Sequence, residues 1–198
     1  MRLRCLFLAA CLAFHAPPAT LAAAGDERLA ALFDELQSLD KRREQRVSEI
    51  EASIWAIWYE HDDRAVRELM ERGLEALAGQ RHREAVDLFT RVVERAPGYA
   101  EAWNRRATTR YLMARYERAL DDIERVLELE PRHFGALAGK GLCLRELGRP
   151  EAAIAAFRRA LDVNPHLDGV YIEILRLRSR LDRPVPGPGE EESAAGGA

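Results

Sequence analysis

Apolar positions along this chain recur at helical spacing. Ile50, Ile54, Ile57 and Trp58 fall on one side of a helix-length stretch, and Met70, Leu74 and Leu77 follow at i, i+4 and i+7. Val170, Ile174, Leu177 and Leu181 repeat the pattern near the end. A period near 3.6 rather than two predicts amphipathic helices. Three prolines punctuate them evenly, since 131 − 97 = 34 and 165 − 131 = 34 for Pro97, Pro131 and Pro165. An internal repeat of that length predicts helical hairpins stacked on one another, with one continuous interior.

The residues upstream of each proline agree at fixed offsets. Trp103 opens the middle unit, with Leu69 and Leu137 in the matching slots, and a small residue follows as Gly73, Ala107 and Gly141. Each second helix carries a small-then-bulky pair one turn apart: Ala85 with Phe89, Ala119 with Ile123, Ala153 with Phe157. Small residues are expected where two helices cross closely, and the bulky partner fills the space toward the next hairpin. The prolines stop one helix and fix the turn into the next. Gly79 and Gly148 mark inner turns, and Pro150 stands where a first-turn proline is tolerated.

On these slots, residues 66–167 resemble the tetratricopeptide repeat family. The resemblance implies an all-α, helical-hairpin solenoid of about three repeats. It also implies a function, the holding of a protein or peptide partner on a concave face lined by the first helices. Carried onto this chain, that face comprises Met70, Leu74, Leu77, Asn104, Thr108, Tyr111, Ala138, Leu142 and Arg145. The lining is apolar and small with a polar centre, which suits an apolar peptide or an amphipathic helix. One subclass of the family clamps chaperone C-terminal carboxylates with a Lys and an Asn on the first repeat. Those slots here resemble Met70 and Leu74, which argues against that ligand; the rival reading has both residues meeting the N-terminal hairpin. The chain departs from the family at the usual Leu slot, where Arg72, Arg106 and Lys140 form a positive column. Their stems cover apolar surface and their heads pair with nearby carboxylates, or the column joins Arg105 and Arg110 in meeting an acidic partner.

Flanking segments read as caps. Residues 25–65 form a degenerate helical hairpin, expected to stack on the first repeat and shield that end. Residues 168–183 form a C-terminal capping helix with Arg176, Arg178, Arg180 and Arg183 toward water. Residues 184–198 are Pro-, Gly-, Ala- and Glu-rich and are expected to be disordered.

Arg2 and Arg4, the apolar run from Cys5 to Phe14 and Ala22-Ala23-Ala24 have the order of a signal peptide over residues 1–24. This predicts a periplasmic or secreted protein. The alternative is a membrane-attached lipoprotein acylated at Cys11, because Leu8-Ala9-Ala10-Cys11 resembles a lipobox. Cleavage after Ala24 leaves Cys143 as the one thiol, which cannot form an internal disulfide.

Composition narrows the function by exclusion. With 47% hydrophobic and 32% charged residues the chain can build a core. Its net charge of −3 gives no electrostatic footprint for nucleic acid. No phosphate-binding glycine loop, nucleophile elbow or histidine set at metal spacing is present in the sequence. The expectation is a non-enzymatic scaffold without cofactor or metal; the partner's identity and the oligomeric state are not readable.

Overall fold

The computed structural model describes residues 20–40 and 42–182. Residues 1–19, where most of the expected signal peptide and Cys11 fall, and residues 183–198, with the expected tail, lie outside the described residues. Among those described there are nine helices: α1 (Thr20–Ser38), α2 (Glu44–Tyr59), α3 (Arg64–Ala78), α4 (His82–Arg95), α5 (Ala100–Leu112), α6 (Tyr116–Leu129), α7 (Phe134–Glu146), α8 (Pro150–Val163) and α9 (Asp168–Leu181). The N-terminal hairpin begins upstream of the expected residue 25, and α1 runs through Ala22-Ala23-Ala24.

From α3 onward each helix packs on the next, making three hairpins, α3–α4, α5–α6 and α7–α8, with α9 closing on α8. The first helices α5 and α7 also touch, so first helices form one layer and second helices the other. Phe89 and Val92 are fully buried, as are Ala119, Val126, Leu137 and Ala153, and the interior continues from hairpin to hairpin. Such burial supplies the stabilisation that a thin, elongated array needs.

The 34-residue period sets the backbone at both kinds of turn. Second helices end at Ala96, Glu130 and Asn164, each just before a proline, with φ of −131°, −138° and −130°. The ring of the following proline excludes helical backbone there and swings the chain into the next unit. At the inner turns the left-handed positions are Gln80, Ala114 and Gly148, at φ 57°, 54° and 67°. Arg81, Arg115 and Arg149 then donate N–H to the carbonyls of Ala76, Arg110 and Leu144 at 2.8, 2.9 and 2.9 Å, the Schellman closure. Gly79 lies in the inner turn as expected, as the helix cap at φ −79°, while Gln80 bears the left-handed geometry.

The expectation that α1–α2 stacks on the first repeat as a cap is corrected. The α1–α2 hairpin lies lengthwise along the array and spans three inter-repeat junctions. Tyr59 at the end of α2 accepts a hydrogen bond from Tyr99 (3.0 Å) at the first junction. Trp58 and Trp55 meet His133 and Phe134 at the second. Glu51 accepts from Asn164 (2.6 Å) and Leu36 O lies 2.9 Å from His166 Nε2 at the third. The physical reason is the apolar stripe itself: Phe33, Leu36, Ile50, Ile54 and Trp58 form a core that includes Phe134 of the third repeat. The C-terminal helix also departs from a polar-backed cap. Ile174 and Leu177 are buried as expected, but Leu181 is 44% exposed and Tyr171, Ile172 and Leu175 stand on the outer side.

Candidate functional site

The strap formed by α1 and α2 seals a polar cluster at the N-terminal ends of the first helices. Glu101 on α5 is fully buried and receives Asn104 Nδ2–H (3.0 Å) and Arg105 Nε–H (2.5 Å). Arg105 binds Oε1, and His133 Nε2 stands 3.1 Å from Oε2, the oxygen that also accepts from Asn104. His133 Nδ1 accepts the N–H of Ala136 (3.1 Å) as the cap of α7, so the ring proton sits on Nε2 and His133 donates to Glu101. Burial alone would push the Glu101 carboxyl up. The hydrogen bond from His133, the Arg105 charge and the Asn104 amide outweigh it and hold the group below the usual carboxylate range.

Aromatic rings close over this cluster. Trp58 stacks on His133, and the Arg105 guanidinium lies 5.4 Å and 5.0 Å from the ring centres of Trp55 and Tyr59. Burial and the Glu101 charge push the Tyr59 hydroxyl up to about 12 and raise that of Tyr99 as well. Trp58 Nε1 is buried and has no acceptor among the described residues.

The sequence-derived lining divides into covered and open parts. Met70 is buried in a core cluster with Val66 and Ala102, and Tyr59 packs against that cluster. Asn104 is buried and committed to Glu101. Neither Met70 nor Asn104 presents its side chain to a ligand, because the strap and the neighbouring helices enclose the N-terminal halves of α3 and α5. Thr108 is exposed, and its hydroxyl donates to Asn104 O (3.0 Å). Leu74, Leu77, Ala138 and Leu142 are half-buried. Tyr111 is half-buried and linked to Arg145 at 3.3 Å. Arg145 is held by Glu173 (2.5 Å) and Glu146 (2.6 Å). One turn beyond Thr108, Leu112 is 52% exposed. The uncovered part of the layer thus runs along the C-terminal halves of the first helices.

The positive column is neutralised from within, except at exposed Arg72. Arg106 makes a two-pronged bond to Asp122 on α6 (3.0 and 2.7 Å), Arg110 adds a third contact at 2.7 Å, and Lys140 pairs with Glu124 (2.5 Å). Both acids sit on α6, the helix packed against α5 and α7, so the pairing runs between helices. Arg105 is likewise occupied by Glu101, so an acidic-partner strip through Arg105 and Arg110 is not what the geometry offers. Among the described residues no three His, Cys, Asp or Glu converge as a metal site, and no helix is long and apolar enough to cross a membrane. Cys143 is buried, and burial pushes its thiol up to about 11.

Glu101 and His133 escaped the sequence reading, which placed Trp58 in an apolar stripe without its partner, although a signal was present. Tyr99, His133 and Leu167 each stand two residues after a junction proline, in register with the repeat. All three are met by the strap or belong to its cluster.

Comparison with known proteins agrees with this architecture. A family model for the tetratricopeptide repeat matches residues 70–113 and 105–167. A TPR repeat-containing protein of Rhizobium etli is 35% identical over 139 residues, covering 70% of this chain and 67% of that protein. The small glutamine-rich tetratricopeptide repeat-containing protein 2 of Saccharomyces cerevisiae is 25% identical over 96 residues, which is 48% of this chain and 28% of the yeast protein. Among solved structures, the first TPR of Spaghetti (RPAP3) bound to an HSP90 peptide superposes with TM-score 0.60 at 20% identity, covering 62% of this chain and 97% of that one. The type III secretion chaperone SycD of Yersinia enterocolitica, in complex with a peptide of the translocator YopD, gives 0.59 at 10% identity, covering 61% and 98%. Repeat period, turn geometry, hairpin packing and these matches converge: the chain belongs to the tetratricopeptide repeat family.

Proposed function

We propose that this protein is a non-catalytic interaction scaffold that holds a peptide or helix of a partner protein on its layer of first helices. The observation that carries this reading is the uncovered half of that layer. Leu112 is 52% exposed beside exposed Thr108, with Leu74, Leu77, Tyr111 and Leu142 half-buried around them. An apolar strip with a few polar contacts suits the apolar face of a helix or an extended segment. Support comes from the solved relatives in the same fold, which hold an HSP90 peptide in one case and a YopD peptide in another. A carboxylate clamp of the chaperone-binding kind finds no support, since buried Met70 and apolar Leu74 occupy the slots it needs.

The proposed place of action is the cell envelope, a reading supported by the order of charged, apolar and small residues over residues 1–24. The alternative, a lipid-anchored envelope assembly factor, is favoured by Leu8-Ala9-Ala10-Cys11. Intact mass of the mature chain separates them, a start near Gly25 ruling out acylation at Cys11.

Site-directed photocrosslinking in the native host tests the binding face. A photoreactive residue at Leu112 should yield a discrete adduct with one partner, and the same residue at Glu94, exposed on α4, should not. Equal, diffuse labelling from both positions would remove the case for this face.

A further inference from the structure

The 34-residue register carries the open strip of the first helices onto α9. One row of slots reads Leu74, Thr108, Leu142 and Arg176, and the next reads Ala78, Leu112, Glu146 and Arg180, since 176 − 142 = 34 and 180 − 146 = 34. Both rows are uncharged on α3 and α5 and end on an arginine of α9. The structure draws that charged end together. Arg145 and Glu146 of α7 line one cleft with Glu173, Arg176 and Arg180 of α9, beside buried Leu177. The cleft continues the strip directly, because Arg145 Nη2 reaches the hydroxyl of Tyr111 on α5 (3.3 Å).

The charges of the cleft do not cancel, for three guanidinium groups stand against two carboxylates. Glu173 is taken by Arg145 (2.5 Å) and Arg176 (2.7 Å), and Glu146 by Arg145 (2.6 Å). Burial would raise the Glu173 carboxyl, but hydrogen bonds from both arginines outweigh it and hold the group below the usual carboxylate range. Arg176 engages Glu173 through Nη1 alone. Arg180 is exposed and meets no acid among the described residues. The middle of the array is different, since buried Asp122 there neutralises Arg106 and Arg110 from within. Guanidinium groups with unused N–H donors match a carboxylate in charge and in planar geometry.

We infer that this cleft receives an aspartate or glutamate side chain of the partner segment held on the first helices. The bound segment then lies with its apolar stretch toward α3 and α5 and its acidic residue at α9. This inference rests on the binding face described above and adds to it the polarity and direction of the ligand. An apolar strip alone lets a segment slide or reverse, whereas an acid placed at one end fixes its register. The cleft is formed by α7 and α9, away from Met70 and Leu74 on α3, the slots where a terminal-carboxylate clamp would sit.

The test selects from a displayed library of random peptides on the full chain, and in parallel on its Leu112→Asp and Arg180→Glu variants. Leu112 and Arg180 are exposed, so neither change should move the thermal melt. Peptides selected on the unaltered chain should pair an apolar stretch with Asp or Glu at one consistent end. In fluorescence anisotropy a selected peptide should bind at least about tenfold more weakly to either variant. Changing its acid to Lys should weaken it on the unaltered chain and restore it on Arg180→Glu. Selected peptides that need Leu112 but carry no consistent acid, or that ignore Arg180→Glu, overturn the inference and leave the binding face standing. Absence of any saturable binder, or indifference to Leu112→Asp, removes the face itself and the inference with it. Binding that tightens at least about tenfold when Glu190, Glu191 and Glu192 are changed to Gln also overturns it, by giving the cleft to the chain's own acids.

Discussion

Trp58 lies flat on His133, with ring centroids 4.0 Å apart and planes within 9°. One residue comes from the N-terminal strap and the other caps the third repeat's first helix, so this stack joins segments that share no local sequence. His133 at the same time caps α7 and donates to buried Glu101. Trp58→Ala should therefore destabilise the whole array rather than fray one end, at a cost of about 3–5 kcal/mol. Chemical denaturation monitored by helicity checks this. A loss below about 1 kcal/mol, or unfolding of α1 and α2 alone, would show the strap to be an accessory.

Gly73 and Phe89 are matched in size to each other, as Ala107 and Ile123 are in the middle unit. Gly73→Ala alone should cost about 1–3 kcal/mol, because the added methyl would come within 2.5 Å of the fully buried Phe89 ring. Combining it with Phe89→Ile recreates the middle unit's pairing. The double variant should be more stable than the sum of the single effects by about 1 kcal/mol or more. Additive single effects in equilibrium unfolding would mean the two positions do not read each other.

Ala114 occupies a left-handed turn position that Gly148 fills in the next unit. Left-handed backbone costs a residue with a Cβ about 1–2 kcal/mol, offset by about 0.5–1 kcal/mol of extra flexibility that glycine brings to the unfolded chain. Ala114→Gly should raise stability by about 0.5–1 kcal/mol, visible as an increased Tm. A lowered Tm would contradict the turn geometry.

Asp122 is buried between Arg106 and Arg110. Asp122→Asn keeps the shape but leaves two guanidinium groups without their charge partner, which should cost about 3–5 kcal/mol. Replacing Arg106 with Leu, the residue usual at that slot in the family, should relieve much of this in the Asp122→Asn background. A double-variant cycle measures the relief.

Acid should destabilise the strap seam. The Glu101 carboxyl is held below the usual range in the folded chain, so its contribution is present above the unfolded value near about 4.3 and is lost as pH falls through the folded value. Glu101→Gln should flatten the acid limb of the stability curve while lowering stability at neutral pH. On the alkaline side the sign reverses in cause, since Tyr59 is pushed up to about 12. Its contribution is intact below the ordinary tyrosine range and disappears as pH climbs through the folded value. Urea midpoints measured from acid to alkali test both limbs.

The sequence by itself determined the hairpins, because each depends on contacts within one 34-residue unit. Small Gly73 and Gly141, bulky Phe89 and Phe157, and the junction prolines are near neighbours in the chain, and their spacing is the geometry. It did not determine that Gln80 rather than Gly79 turns left-handed, since the two glycines at 79 and 148 are not in the same register. Only the tertiary structure decided where the N-terminal hairpin goes. Glu51 meets Asn164 across 113 residues and Leu36 meets His166 across 130. An apolar stripe announces that a helix must be covered but not by what, and the choice among candidate surfaces falls to shape and polar pairing at long range. That choice turned an expected end cap into a strap, buried Met70 and Asn104, and left the C-terminal halves of the first helices open.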